Sequence, residues 1–214
     1  RSNLKKLLPV EKYMSNNIGH FYNKIQGWFD FHHLYQNQVM KAPLIGAKFV
    51  EVGSWKGASS SFMAVEIANS QKEIDFYCVD TWSGSQEHLN KDSSHYDPRI
   101  KEKDWLYNKF IKNMKPVEDY YTAIRKESIE AAKDFEDKSL DFVFIDASHD
   151  YNNVLADLTA WLPKLKGPSG LFGHDIWTKS VRNAVNDFCK ESNLLMRVHG
   201  KSCWGIFEET KVLQ

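Results

Sequence analysis

Residues 48–57 read KFVEV-GSWKG, a short apolar run that ends at Gly53 and passes through Ser54, Trp55 and Lys56 to Gly57. From Gly57 to Asn69 (GASSSFMAVEIAN) the spacing turns helical, with Phe62, Val65, Glu66 and Ala68 set around a helix that starts on small residues. Strand, glycine turn and helix then recur along the chain. Phe76–Asp80 (FYCVD) is a second strand, Tyr120–Ile124 (YYTAI) a weaker third, and a helix follows over Ser128–Phe135. Asp141–Asp146 (DFVFID) is the clearest strand. Beyond it, Asn152–Leu162 puts Val154, Leu155, Leu158, Trp161 and Leu162 on one helical face. Gly170–Gly173 is a short strand, and Ser180–Glu191 is an amphipathic helix carrying Val181, Val185, Phe188 and Cys189. Leu194–His199 and Cys203–Phe207 close the chain across a turn at Gly200-Lys201-Ser202. Apolar strands alternating with helices predict an α/β fold, a Rossmann-like three-layer sandwich whose mainly parallel sheet is covered on both faces. The last two strands add an antiparallel edge.

Two regions stand outside the alternation. Residues 1–47 read as a helical N-terminal cap, with six aromatics between Phe21 and Tyr35. Residues 83–115 begin as a polar loop and end as a helix, a lid insertion in a domain that spans 48–214.

Composition limits the function. The 214 residues carry 28 Lys plus Arg against 28 Asp plus Glu. A neutral chain is a poor match for a protein whose main task is to grip nucleic acid phosphates or an anionic membrane. Residues 99–115 hold one Arg and five Lys among aromatics, but Glu and Asp interleave with them. Cys78, Cys189 and Cys203 have no CxxC spacing and suit buried thiols in a reducing cytosol. No run approaches eighteen apolar residues, so a cytoplasmic protein without a membrane span is expected. Aromatics make up 14%, which points either to an aromatic core or to an aromatic ligand surface.

The glycine spacing narrows the ligand. GxxxG is neither the GxGxxG of dinucleotide folds nor a P-loop, so a cofactor without a pyrophosphate fits better than NAD or ATP. Asp80 ends the second strand, where a carboxylate can accept hydrogen bonds from both ribose hydroxyls. The plainer alternative makes Gly53 and Gly57 turn residues and Asp80 a helix cap.

Asp146, His149, His174 and Asp175 fall at the ends of the fourth and fifth strands, where open α/β folds bind ligands. Two carboxylates and an imidazole there could hold a divalent cation, and oxygen-rich donors favour Mg²⁺, Mn²⁺ or Ca²⁺. Such a site suits methyl transfer to oxygen, since a hydroxyl must lose its proton to attack. A metal lowers its pKa, and a base such as His149 takes the proton. The plainer alternative has Asp146 capping the next helix and His149 bonded to backbone. His32-His33, His20, His88, His95 and His199 show no ligand spacing, and Asp150 and Asp157 read as first-turn and exposed-face charges.

VEVGSWKG, FYCVDTW and the run from SLDFVFIDASHDYNN to GLFGHDI together resemble class I S-adenosylmethionine-dependent methyltransferases, most nearly the group of cephalosporin-hydroxylase-like proteins and macrolide sugar O-methyltransferases. The resemblance spans about residues 48–207. It implies a seven-stranded sheet with an antiparallel last strand and S-adenosylmethionine across the ends of the first two strands. By position, Gly53 and Gly57 would line the methionine moiety, Asp80 would bind the ribose, and Ser128 would lie beside the adenine. Glu51, Trp55, Thr81, Trp82 and Asp146, at the same strand ends, are counted with them as cofactor contacts. The resemblance also implies a base three residues after a metal-binding aspartate, which fits Asp146 and His149, and further metal ligands at His174 and Asp175. It departs from the family at His174, where an oxygen donor is usual.

The acceptor implied is a small hydroxylated molecule such as a sugar, with Tyr22, Trp28, Phe29, Tyr35, Tyr96, Trp105 and Tyr107 as candidate stacking residues. The same aromatics could instead pack on the sheet or form a subunit contact in a homo-oligomer. Trp55, Trp82 and Trp177, each just past a strand end, read as pocket wall. Rival readings are a metal-free N- or O-methyltransferase and a cofactor-binding partner or sensor without chemistry. Nucleic acid as the acceptor is disfavoured by the neutral charge.

Overall fold

A computed structural model describes residues 17–92 and 96–209; His95 and residues 1–16 of the expected cap lie outside the described residues. The framework is one seven-stranded sheet. β1 (Ile45–Val52) pairs in parallel with β2 (Glu73–Asp80) on one side and β4 (Phe142–Ile145) on the other. β3 (Thr122–Arg125) extends the sheet beyond β2, and β5 (Leu171–Gly173) beyond β4, both in parallel. β7 (Cys203–Glu208) lies antiparallel between β5 and β6 (Leu194–His199), giving the order β3-β2-β1-β4-β5-β7-β6.

The mainly parallel sheet with an antiparallel last strand is as expected. The ending is not simply a two-stranded antiparallel edge. β7 is inserted inside the sheet, so β6, antiparallel to β7, runs with the other strands and forms the rim. β1 and β2 also begin earlier than their apolar runs suggest. Ile45 pairs with Glu73 and Lys48 with Asp75, so the strands start on exposed, partly charged positions that hide them from a search for apolar runs.

Alternation along the strands builds two cores. Ala47 and Phe49 of β1 and Phe142 and Phe144 of β4 face α1 (His32–Lys41), α2 (Ala58–Ser70) and α4 (Trp105–Met114). Val50, Val52, Val143 and Ile145 face α5 (Ser128–Ala132), α6 (Tyr151–Trp161) and α7 (Lys179–Glu191). A four-residue helix, α3 (Gln86–Leu89), lies in the insertion after β2. Between residues 17 and 44, α1 and one turn at Tyr22–Lys24 are helical.

The aromatic excess sits largely in the first core. Phe31 packs on Phe144 at 4.5 Å between ring centroids, and fully buried Tyr35 lies edge-on to the same ring. Tyr22 and Phe29 pack on Phe62 of α2. Tyr22, Phe29 and Tyr35, candidates for acceptor stacking in sequence, instead hold the N-terminal segment to the sheet and α2, and a ring buried as fully as Tyr35 contributes roughly 1.5–3 kcal/mol. No helix among the described residues is long and apolar enough to cross a membrane, and the three cysteines are buried and free.

Asp157 differs most from expectation. It stands not on an exposed face of α6 but 4% exposed against α5. Burial is the main cause that pushes its carboxyl up to about 6, against a hydrogen bond from Ser128. A raised folded-state pKa favours the fold below the unfolded value near 4 and costs stability as pH climbs through about 6. Asp157→Asn should therefore be more stable than wild type at pH 8 by roughly 2–3 kcal/mol, with the gap closing toward pH 4. Urea midpoints at both pH values measure this, and parallel wild-type and variant curves would refute the buried-acid account.

Candidate active site

The strand order reverses between β1 and β4, since β2 and β3 lie to one side and β5 to the other. Loops leaving these two strands diverge, opening the crevice in which such sheets bind ligands. Gly53 leaves β1 here and Asp146 leaves β4, joined by a hydrogen bond of 2.8 Å from Asp146 N–H to the Val52 carbonyl. Gly53 has φ +94°, and a Cβ on it would lie 2.0 Å from the Asp146 carbonyl oxygen. Only glycine lets the two loops touch so closely. Gly57, also left-handed at φ +91°, begins α2.

Three non-glycine residues on this rim are left-handed as well: Trp55 after β1, Trp82 after β2 and Asp175 after β5. Strain of this kind costs about 1–3 kcal/mol per residue and gathers at functional sites.

Asp80 holds the first two loops together. Its carboxylate accepts from Trp55 N–H at 2.8 Å and from Trp82 N–H at 2.7 Å. Burial raises its pKa, and these backbone hydrogen bonds oppose the rise. Each oxygen keeps a second lone pair, enough for the two hydroxyls of a ribose. Trp55 stacks on His88 at 3.9 Å beside this rim. Thr81 is half-buried, and its hydroxyl accepts from Ser83 N–H.

Three expected cofactor contacts are placed elsewhere. Glu51 is 1% exposed, and its carboxylate accepts from Tyr35 at 2.8 Å, Ser54 at 3.0 Å and Ser60. It braces the start of α2 from within, because β1 alternation turns it into the core. Trp82 is buried against Phe110 and Tyr107, and its indole N–H donates to the Trp55 carbonyl, so it supports the loop rather than walling a pocket. The Ser128 hydroxyl accepts from the Trp161 indole N–H at 2.9 Å, serving α6. Trp177 is exposed, with its indole N–H bonded to the Lys201 carbonyl.

Asp146, His149, His174 and Asp175 do converge. His149 Nε2 lies 2.8 Å from Asp175 Oδ2, and His174 Nδ1 lies 3.2 Å from the same oxygen and 3.4 Å from Asp146 Oδ1. A cavity of about 10 Å³ among them has room for one water or ion. Burial alone would lower the His174 pKa, but hydrogen bonds and charge from Asp146 and Asp175 outweigh it and push the imidazole up to about 11. Asp175 moves the opposite way: burial opposes its charge, yet His149 and His174 hold its carboxyl well below the usual range. When protonated, the His174 imidazole stands as a cation between these two carboxylates.

One ligand atom from each of Asp146, His174 and Asp175 can lie within 4.8 Å of the others, so the three residues also fit a divalent cation if His174 gives up its proton. Asp30, which sequence reasoning missed, lies 3.3 Å from His174 Nε2 and accepts from Ser202 at 2.5 Å. Nothing in the spacing could have found it, for it arrives from 144 positions earlier in the chain.

Of the other histidines among the described residues, His20 pairs with Glu66 and stacks on Phe62, and His199 stacks on Phe207. Asp150 caps α6, accepting from Asn152 and Asn153 N–H.

Residues 50–176 match the family described as "Methyltransferase domain". An uncharacterized protein of Sinorhizobium fredii, y4gI, is 28% identical over 128 residues, 60% of this chain, and the match spans 13% of that protein's length. Among solved structures, the O-methyltransferase NovP superposes with a TM-score of 0.59 at 14% identity, covering 84% of this chain and 79% of NovP. SMU.1697c of Streptococcus mutans, solved in complex with SAH, superposes at 0.56 with 9% identity, covering 86% of this chain and 100% of that one.

Proposed function

Because the chain belongs to the methyltransferase-domain family and has the class I S-adenosylmethionine-dependent methyltransferase fold, we propose that it moves a methyl group from S-adenosylmethionine to a hydroxyl of a small polyhydroxylated acceptor, such as a sugar. The observation that supports this most is the contact between the Gly53 turn and Asp146. It sets the turn expected to hold the cofactor directly against the loop that carries the acid and base residues.

S-adenosylmethionine, when bound, supplies an electrophilic sulfonium methyl. The chain's own residues do the rest. Gly53 and Gly57 turn the chain tightly from β1 into α2 beside the cofactor, packed on Asp146 and on Met114 and Phe110, and Asp80 accepts the ribose hydroxyls on its unused lone pairs. His149 takes the acceptor proton, and Asp175 orients the ring and stabilises the imidazolium that forms. Asp146, His174 and Asp175 are the residues that would hold a divalent cation, which would lower the pKa of the acceptor hydroxyl. A metal-free reading has a specific observation in its favour, since His174 Nδ1 lies within 3.4 Å of both Asp146 and Asp175 and balances them when protonated.

The test is thermal. S-adenosylmethionine at about a hundred times its Kd should stabilise the chain by about 2.7 kcal/mol, a rise in Tm of roughly 5–10 °C at this length, and NAD should not. Absence of a shift with S-adenosylmethionine would sink the reading. Release of demethylated cofactor across a panel of sugars then separates an enzyme from a sensor.

A further inference from the structure

A second and larger cleft shares no lining residue with the Asp146–His149 cluster. Its volume is about 480 Å³, and it lies between residues 24–26, Lys56 and the outer face of α4. Lys24, Lys56, Arg99, Lys109 and Lys112 all line it, and no carboxylate among the described residues does. Trp105, Lys109 and Lys112 follow helical spacing, which sets them on one face of α4 toward the cleft.

The charge is only partly balanced. Asp97, buried behind the wall, bonds to Lys56 at 3.2 Å and to Arg99 at 2.8 Å. The side chains of Lys24, Lys109 and Lys112 make no hydrogen bond or ion pair among the described residues. Asp104 is engaged with Arg125 at 2.6 Å and Glu118 with Lys115, while Glu102 acts on Arg99 from outside the lining. Five cations thus line one concavity against two acids, Asp97 and Glu102, in a chain whose overall charge is zero. Lys56 is 1% exposed, so part of this charge is built into the wall rather than carried on mobile side chains. Trp105 gives a flat floor, with the Arg99 guanidinium 4.6 Å and Lys56 Nζ 5.3 Å from its ring centroid.

Cations from the N-terminal segment, the β1 loop, the insertion and α4 converge here, which calls for a ligand with several negative oxygens. A single carboxylate would satisfy only one or two of them. The volume is that of a site for a small organic molecule. We propose that this cleft binds a small phosphate-bearing molecule, an organic phosphate or diphosphate, with Lys24, Arg99, Lys109 and Lys112 meeting its oxygens. The site is independent of the methyl-transfer reading and stands or falls separately from it.

Inorganic pyrophosphate is the probe, titrated calorimetrically into the full chain at low ionic strength with sodium chloride of equal ionic strength as the blank. Wild type should bind it. Lys109→Gln with Lys112→Gln, both exposed, should weaken binding at least about tenfold, the equivalent of about 1.4 kcal/mol. Lys109→Arg with Lys112→Arg should restore it, and both variants should keep wild-type affinity for S-adenosylmethionine. No heat above the salt blank, or equal binding by the glutamine variant, would overturn the proposal. So would a single-stranded oligonucleotide that binds more tightly than pyrophosphate and competes with it, because the cleft would then be part of a nucleic-acid surface.

Discussion

Replacing His149 by glutamine is expected to slow methyl transfer by about 10²–10⁴-fold, the range for loss of a positioned general base. The side chain is 42% exposed, so an acceptor can reach it, and its ring is held at 2.8 Å from Asp175 rather than free to turn. Glutamine keeps a polar group of similar reach but cannot take a proton at neutral pH. Affinity for S-adenosylmethionine should stay within about twofold, because His149 lies with Asp175 past the ends of β4 and β5, whereas the cofactor reading rests on the ends of β1 and β2. Single-turnover transfer to an acceptor found by the sugar screen gives the rate, and calorimetry gives the affinity. Turnover within about threefold of wild type would remove His149 from the chemistry. Loss of rate with equal loss of cofactor affinity would instead make it a binding residue.

The parts of this site that sequence revealed share a property: they come from a strand end and the few residues that follow it. Gly53, Asp80, Asp146, His149 and the His174-Asp175 pair each stand within four residues of the carboxyl end of a strand. Once the strands are ordered, their convergence follows from topology. The parts that stayed hidden depend on which way a side chain faces or on long-range contact. Glu51 looked like a rim residue because it lies close to Gly53, yet the alternation of β1 turns it into the core against Tyr35. Trp82 looked like a pocket wall, but its left-handed backbone lets the ring fold down onto Phe110. Asp30 meets His174 from far away in sequence, and Asp97, beyond its neighbour Arg99, reaches Lys56 across 41 positions. The lysines of residues 99–115 read as a mixed-charge face because acids interleave with them. In space Asp104 turns to Arg125, whereas Lys109 and Lys112 turn to the cleft.

Gly53→Ala is expected to be among the most damaging single-methyl changes available in this chain, and Gly46→Ala measures how much of that damage is backbone strain. Both glycines lie in the left-handed region, Gly46 at φ +84° and Gly53 at φ +94°. At Gly46 an added Cβ meets nothing within 4 Å. That substitution should cost only the left-handed penalty, about 1–2 kcal/mol. At Gly53 the same atom would lie 2.0 Å from the Asp146 carbonyl oxygen and 2.8 Å from the Ala147 Cα. Both are backbone, so no side chain can swing aside, and relief requires β1 and β4 to part where Asp146 N–H bonds to the Val52 carbonyl. The total should reach on the order of 3–5 kcal/mol, a fall in Tm of roughly 6–20 °C at this length. Denaturant midpoints of the two variants separate strain from collision. A Gly53→Ala cost within about 1 kcal/mol of Gly46→Ala would show that the β1 and β4 loops are not pressed together. Any folded Gly53→Ala protein carries a further consequence. Asp146 would shift with its carbonyl, and the cluster it opens would shift too, so methyl transfer should fall by more than the folded fraction falls.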